Sequence, residues 1–190
     1  MRKSILSLAD GLIVVAASSA HAQAYVGGNI GWAKLSVDCS GVPNCDRTDT
    51  GYKAYGGYRF GEGFAVEGVY FDWGKATGQD STLSAEVKGS GWGLGVAYFL
   101  PFATDFSAVG RLGAVRNQGK LRVNDSYLGM SESNTTNSWQ VYGGIGVAYN
   151  VMPNLAITAE ADFSRVKYGA AGESDTSTSS LYSFGLRFSF

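Results

Sequence analysis

The sequence predicts an all-β fold, an eight-stranded antiparallel up-and-down transmembrane β-barrel. The first observation is the alternation at the end of the chain, where Tyr182, Phe184, Leu186, Phe188 and Phe190 share one parity and small or charged residues the other. A period of two is the period of a strand. The second observation is that seven similar stretches precede this one. The third is that short and long connections alternate between them, as in transmembrane barrels.

The amino-terminal segment has the pattern of a secretory signal peptide. Arg2 and Lys3 precede an apolar stretch, and Ala20, His21 and Ala22 form an A-x-A cleavage pattern. We therefore expect residues 1–22 to be a signal peptide and residues 23–190 to form one barrel domain. Because no later run of about 18 apolar residues follows, no transmembrane helix is expected.

The composition favours many Gly-rich, aromatic strands. The chain has 27 Gly, three Pro and 13% aromatic residues, which is typical neither of a disordered chain nor of a helical bundle. Its 15 basic and 16 acidic residues nearly balance, so nucleic acid is not an expected partner.

Each of the first four strands carries apolar side chains on one parity. They are expected at residues 23–37, with Ile30 and Trp32; 50–60, with Tyr52 and Tyr58; 64–73, with Val66 and Tyr70; and 87–100, with Trp92 and Tyr98.

The fifth strand, residues 106–116, is mildly apolar on both parities. Arg111 decides its orientation, because a charge on the lipid face near the bilayer midplane costs about 2–4 kcal/mol. We therefore expect Arg111 inside the barrel and Leu112 outside. The remaining strands alternate clearly and are expected at 138–150, 155–167 and 181–190.

The connections alternate in length. Long polar loops are expected at about 38–49, 74–86, 117–137 and 168–179, and short turns at 61–63, 101–105 and 151–154. In membrane barrels the short turns face the periplasm. An even number of strands then places both termini on that side.

Two stretches resemble a known family. The stretch from Tyr142 to Phe163, YGGIGVAYNVMPNLAITAEADF, looks like the sixth and seventh strands of OmpA-type outer-membrane barrels. Residues 55–60 and 64–70, YGGYRF and FAVEGVY, resemble the second and third strands of the same barrels. The similarity covers essentially the mature chain and implies location in the bacterial outer membrane. The aromatic ending at Phe188 and Phe190 resembles the assembly signal that the barrel-assembly machinery reads.

The resemblance implies more than one function. OmpA itself continues into a peptidoglycan-binding domain, whereas this sequence stops at Phe190, so that role is not transferred. The bare barrel looks more like the OmpX and Ail type, whose extended loops imply adhesion, host-surface contact or complement resistance. OmpW-type barrels imply passage of small hydrophobic solutes instead.

Seven charged residues are expected to point into the lumen. They are Lys53, Arg59, Glu67, Arg111, Glu160, Asp162 and Arg187. Arg59 and Glu67 lie one diagonal apart on adjacent strands, within reach of each other. One interpretation is a salt-bridge network that fills the barrel, and the other is an ion gate or proton path. An eight-stranded barrel is only wide enough for side chains to fill it, which favours the network.

The two cysteines, Cys39 and Cys45, flank a polar turn in the first long loop. In an exported protein a close, even pair predicts a disulfide. A metal site would need further ligands.

The sequence gives no indication of an enzyme, a metal or a cofactor. The single histidine, His21, leaves with the signal peptide, so no general base of that type remains. Glu160 and Asp162 share a strand face, but glycoside hydrolysis would also need a sugar cleft and water. The Gly-rich run 89–95 does not have phosphate-loop spacing.

We therefore expect a monomeric outer-membrane barrel that presents four extracellular loops, with a role in envelope integrity or adhesion. The alternative is a narrow porin-like or OmpW-like channel for ions or small solutes. The expected partners are outer-membrane lipid, lipopolysaccharide, the barrel-assembly machinery and a host or surface ligand bound by the loops. A sealed lumen would favour the first function, and a continuous path the second.

Overall fold

The computed structural model describes residues 23–36, 44–61, 63–79, 83–125, 130–168 and 175–190. The expected signal peptide and Cys39 lie outside these residues. The described part of the chain forms nine strands: β1 (Gln23–Leu35), β2 (Asn44–Asp46), β3 (Thr48–Phe60), β4 (Phe64–Gln79), β5 (Leu83–Pro101), β6 (Phe106–Asp125), β7 (Met130–Met152), β8 (Leu155–Tyr168) and β9 (Asp175–Ser189).

The strands close into the predicted barrel. Every pairing is antiparallel, and the order around the wall is β4-β3-β1-β9-β8-β7-β6-β5, with β5 pairing again with β4. The short strand β2 pairs only with the end of β4. The other eight strands form the barrel, so all sheet edges within it are paired, as a lipid environment requires.

The strands are longer than the sequence suggested. β6 runs to Asp125 and β7 begins at Met130, so most of the expected loop at 117–137 is a paired hairpin. β4 and β5 extend in the same way into the expected loop at 74–86, and β9 begins at Asp175. The expectation of irregular loops was wrong there. The hairpins project from one end of the barrel, called here the loop end. The short connections, the start of β1 and the end of β9 lie at the opposite end, called here the turn end.

The parity of the strands separates two environments. Lys53, Glu67, Arg111 and most other inward residues are buried, whereas the outward positions are apolar and exposed, for example Ile145 at 67% and Val141 at 68%. Soluble monomers rarely expose contiguous apolar patches of this extent. The outer wall therefore faces lipid, with Arg111 inside and Leu112 outside as predicted.

Aromatic side chains border this apolar wall. Trp92 and Trp139 make an edge-to-face contact near the loop end, and Phe106 and Tyr149 pair at the turn end. Trp139 and Tyr149 lie on one strand, about 33 Å apart along it, which is about 25 Å in depth at a tilt of about 40°, the height of the apolar band of a membrane barrel.

Glycines in the wall make room for bulky lumen side chains. The ring of Tyr142 lies across Gly113, its partner on the next strand, where a Cβ would come within 2.5 Å of the ring. Gly95, the cross-strand partner of Gly113, lies against the Tyr142 hydroxyl. The alternate glycines of β5 thus serve packing in the lumen.

Candidate functional site

The middle of the lumen holds a cluster of five charged side chains, called here the central cluster: Lys53, Glu67, Arg111, Glu160 and Asp162. The Lys53 ammonium contacts the Glu160 carboxylate and lies 2.6 Å from Asp162 Oδ2. Arg111 Nε donates to Glu67 Oε2 at 2.8 Å, and Arg111 Nη1 lies 3.0 Å from Glu160 Oε1. The chain of contacts joins β3, β8, β6 and β4 across the lumen.

Two tyrosines add hydrogen bonds to two of these carboxylates. The Tyr25 hydroxyl donates to Glu67 Oε1 at 2.7 Å, and the Tyr55 hydroxyl lies 3.5 Å from Glu160 Oε1 as a donor. The Arg111 guanidinium also lies 4.7 Å from the centre of the Tyr55 ring. Buried ion pairs are stable only when such additional hydrogen bonds satisfy the remaining groups.

Arg59 and Glu67 do not pair as the sequence suggested. Glu67 is engaged by Tyr25 and Arg111, and no ion pair between Arg59 and a carboxylate occurs in the part of the chain that the structure describes. Arg59 Cζ lies 4.2 Å from the centre of the Phe99 ring, and Arg187 Cζ lies 4.8 Å from it. These two arginines thus form a separate group nearer the turn end.

A second layer of buried side chains lies between the central cluster and the loop end. The rings of Phe71 and Trp73 stack at 4.4 Å, and Tyr142 meets Phe71 edge to face at 5.4 Å. Trp73 Nε1 donates to Asn117 Oδ1 at 3.1 Å, and Asn117 Nδ2 donates to Ser164 Oγ at 3.1 Å. This aromatic layer and the central cluster place buried side chains in the lumen at two successive depths.

Basic side chains lie on the outer surface above the loop-end aromatics. The group called here the basic rim consists of Lys88, Arg116, Lys120 and Arg122, all exposed on β5 and β6. Arg116 is the direct cross-strand partner of both Trp92 and Trp139, and Lys120 stands directly opposite Lys88.

A groove of about 400 Å³ opens beside Arg116 on this outer surface. It is lined by Tyr70, Trp92, Gln118 and Asn137 among others. The groove therefore offers a guanidinium above aromatic side chains at the depth where lipid headgroups begin.

The remaining predicted residues are placed as follows. Phe188 and Phe190 lie on the outer wall in edge-to-face contact at 5.1 Å, and their role as an assembly signal stays a prediction. The backbone of Cys45 belongs to β2 and pairs with Gly78.

None of the described residues forms a helix with the length and hydropathy of a membrane span. Within those ranges, no group of three or more His, Cys, Asp or Glu is arranged to hold a metal.

Sequence reasoning from charge found the central cluster but not the aromatic layer or the basic rim. Phe71 and Trp73 share the parity of Glu67, so the alternation of β4 could have identified them as lumen residues. Lys120 and Arg122 lie in the segment 117–137 that was expected to be a loop, where parity was not considered, whereas Lys88 and Arg116 lie at the ends of expected strands.

The comparisons with known proteins agree with this architecture. A family model described as outer membrane protein beta-barrel domain matches residues 5–190. A comparison with functionally curated proteins gives no significant match.

Several solved structures have the same fold. Ail, the attachment invasion locus protein of Yersinia pestis, solved in complex with the heparin analogue sucrose octasulfate, aligns with a TM-score of 0.59 at 20% identity, covering 89% of this chain and 99% of that chain. Neisserial surface protein A aligns at 0.58 and 18% identity, over 88% and 97% of the two chains. OprG of Pseudomonas aeruginosa aligns at 0.52 and 16% identity, over 89% and 95%. At such identities the likeness shows the fold alone.

Proposed function

Because the chain belongs to the outer membrane protein β-barrel domain family, we propose that it is a sealed, non-enzymatic barrel that presents its loop-end hairpins at the cell surface for envelope integrity or adhesion. The observation that carries this proposal is the closure of the lumen at two depths. Fully buried side chains, among them Trp73, Phe71, Tyr142 and Lys53, fill the interior. The surface available for binding a partner outside the cell is then the loop end and the adjoining outer wall.

The basic rim favours a polyanionic saccharide as the partner. Like charges directly opposite each other on a sheet destabilise it. Lys120 faces Lys88, which Asp72 partly compensates at 3.3 Å, and Arg116 lies nearby on the same surface. An anionic group at this depth would relieve that repulsion through charge-assisted hydrogen bonds. If the protein serves envelope integrity, lipopolysaccharide phosphates would supply the anionic group. If it serves adhesion, a sulfated glycan would supply it. The heparin analogue bound by Ail supports the second class of ligand.

Removal of the basic rim tests this partner. We expect Arg116→Gln with Lys120→Gln and Arg122→Gln to weaken binding of lipopolysaccharide or heparin at least tenfold and to reduce the salt dependence of binding, because three cations that meet the polyanion are lost. Binding is measured with the refolded protein in an uncharged detergent at several salt concentrations. A control variant removes the same charge elsewhere at the loop end, with Lys34→Gln, Arg165→Gln and Lys167→Gln. Equal losses of binding in the two variants would contradict a specific binding site at the basic rim. Tighter binding of lipopolysaccharide by the wild type would favour envelope integrity, and tighter binding of heparin would favour adhesion.

A narrow channel is the second candidate, and the central cluster is the observation that favours it. Glu160 is shared between Lys53 and Arg111, so an exchange of ion partners could open a polar path. We expect a folded wild-type protein to be electrically silent in a planar bilayer. Steady conductance that changes in Arg111→Ala or Glu160→Ala would replace the sealed-barrel proposal with a gated pore, and gel heat-modifiability establishes that each variant has folded.

We further propose that Cys39 and Cys45 form a disulfide that restrains the first loop. The support is their even, close spacing in an exported chain and the pairing of Cys45 with β4 in the ladder. Thiol labelling of the folded, unreduced protein is expected to modify neither cysteine, and labelling after reduction to modify both. Modification of both without reduction would show that the bridge does not form.

A further inference from the structure

The charges in the turn-end half of the barrel do not balance. Among the described lumen side chains from the central cluster to the turn end, Lys53, Arg59, Arg111 and Arg187 carry positive charge, whereas Glu67, Glu160 and Asp162 carry negative charge. All three carboxylates are engaged in the central cluster. The excess positive charge therefore lies with Arg59 and Arg187.

Arg187 is deeply buried and forms no ion pair with a carboxylate of the described residues. Its residue is 4% exposed, and its Nε and Nη1 have no hydrogen-bond partner among the described residues. Arg59 is half-buried, and its Nε is also without a partner there. Both guanidiniums lie against one ring, that of Phe99.

The contact with Phe99 does not compensate for this burial. A cation over an aromatic face is stabilised modestly, whereas removing an ion from water costs considerably more unless it is both paired and hydrogen-bonded. The two Cζ atoms lie within about 9 Å of each other, the sum of their distances to the ring centre. Each cation therefore raises the electrostatic potential at the other and increases the attraction for an anion.

The position of the pair indicates how an anion would reach it. Arg59 is the penultimate residue of β3, next to the first short turn, and Arg187 lies near the end of β9. Both belong to the turn end, which faces the periplasm in outer-membrane barrels. A guanidinium presents donors in a planar fork that matches the oxygens of a phosphate group.

We propose that Arg59 and Arg187 form a binding site for a phosphate group in the periplasmic mouth of the barrel. In the bound state the phosphate oxygens accept hydrogen bonds from the Arg187 guanidinium, and the half-buried Arg59 contributes a second cation at the entrance. This site is independent of the basic rim, which lies at the opposite end of the barrel.

The test uses the refolded protein in octyl glucoside, which carries neither charge nor phosphate, with inorganic phosphate titrated against chloride at equal ionic strength. We expect saturable binding of phosphate to the wild type. Arg187→Gln and Arg59→Gln should each weaken it at least tenfold, and Arg187→Lys, which keeps the charge but loses the fork, should weaken it less. Arg165→Gln, which removes an exposed arginine at the loop end, should leave it unchanged. If Arg187→Gln does not fold, the half-buried Arg59→Gln decides the result.

Two results would overturn the proposal: no saturable binding of phosphate by the wild type, or binding that persists in both glutamine variants. Reconstitution into phosphatidylglycerol vesicles then separates two sources of the same group. Continued binding of free phosphate supports a soluble ligand, and its displacement supports a lipid phosphate in the mouth.

Discussion

Lys53→Met is expected to lower the free energy of unfolding by about 3–5 kcal/mol, the usual cost of removing one partner from a buried ion pair. The Lys53 side chain is fully buried and holds both Glu160 and Asp162. Glu160 would retain Arg111, but Asp162 would lose the one cation that it contacts in the described part of the barrel. Urea titration of the protein refolded into lipid vesicles measures the change. A loss of this size is a large fraction of the stability of an ordinary domain.

The same substitution at an exposed ion pair provides the control. Lys88 lies 3.3 Å from Asp72 Oδ2, and both side chains reach solvent, so Lys88→Met should cost no more than about 1 kcal/mol. Adding Asp162→Asn to Lys53→Met should recover part of the loss, because the uncompensated carboxylate is then neutral. If Lys53→Met cost as little as Lys88→Met, water would have to reach the central cluster, and the sealed lumen would be wrong.

The barrel could be predicted because lipid and lumen impose opposite requirements on neighbouring residues. Leu112 and Arg111 are adjacent in the sequence, yet one faces hydrocarbon and the other faces carboxylates. A similar contrast repeats along the other strands within the membrane, whereas in β6 it depends on Arg111. The number of strands, their direction and the side on which each charge lies therefore follow from parity.

The same argument explains why the hairpins beyond the membrane were not predicted. In β6 the outward positions change from Leu112 to Arg116 and Lys120, because the outer surface there faces water. In β7 both faces are polar from Ser133 to Ser138, so alternation there does not distinguish a strand from a loop. In β6 Gly119 and Leu121 still alternate with Lys120 and Arg122, and this alternation, with its polar side outward, was missed. The backbone nevertheless continues to pair, residue by residue, up to Asp125 and Met130.

It was harder to predict which lumen side chains pair with each other than to predict which side chains lie in the lumen. Arg59 and Glu67 are diagonal neighbours in the wall, as expected, but Glu67 also meets Tyr25 from one side and Arg111 from across the barrel. Contacts across the lumen depend on the stagger of all eight barrel strands, which no single hairpin specifies. The sequence therefore identified the charged residues but not how they pair.

Leu112→Arg is expected to destabilise the folded barrel by about 2–4 kcal/mol, because it places a charge on the lipid face near the midplane. Leu112 lies four residues from Arg116, which is about 13 Å along the strand and about 10 Å in depth at a tilt of about 40°. Arg116 stands beside Trp92 and Trp139 at the membrane boundary. An arginine at position 112 would therefore have to extend far along the wall to reach water, and the yield of heat-modifiable, folded protein in vesicles should fall with its stability.

Gln118→Arg is the matched control, because it introduces the same side chain on the same outward face of the same strand. Position 118 lies beyond Arg116, in the part of β6 that is above the aromatic boundary. There the cost should be about 0–1 kcal/mol, since the charge is at or above the interface. The introduced side chain is the same and its depth differs, so equal destabilisation by the two substitutions would contradict the position of the membrane along the barrel. A large loss at 112 with little effect at 118 would show that the boundary runs between them and that the basic rim lies outside the hydrocarbon, where a polyanionic ligand could reach it.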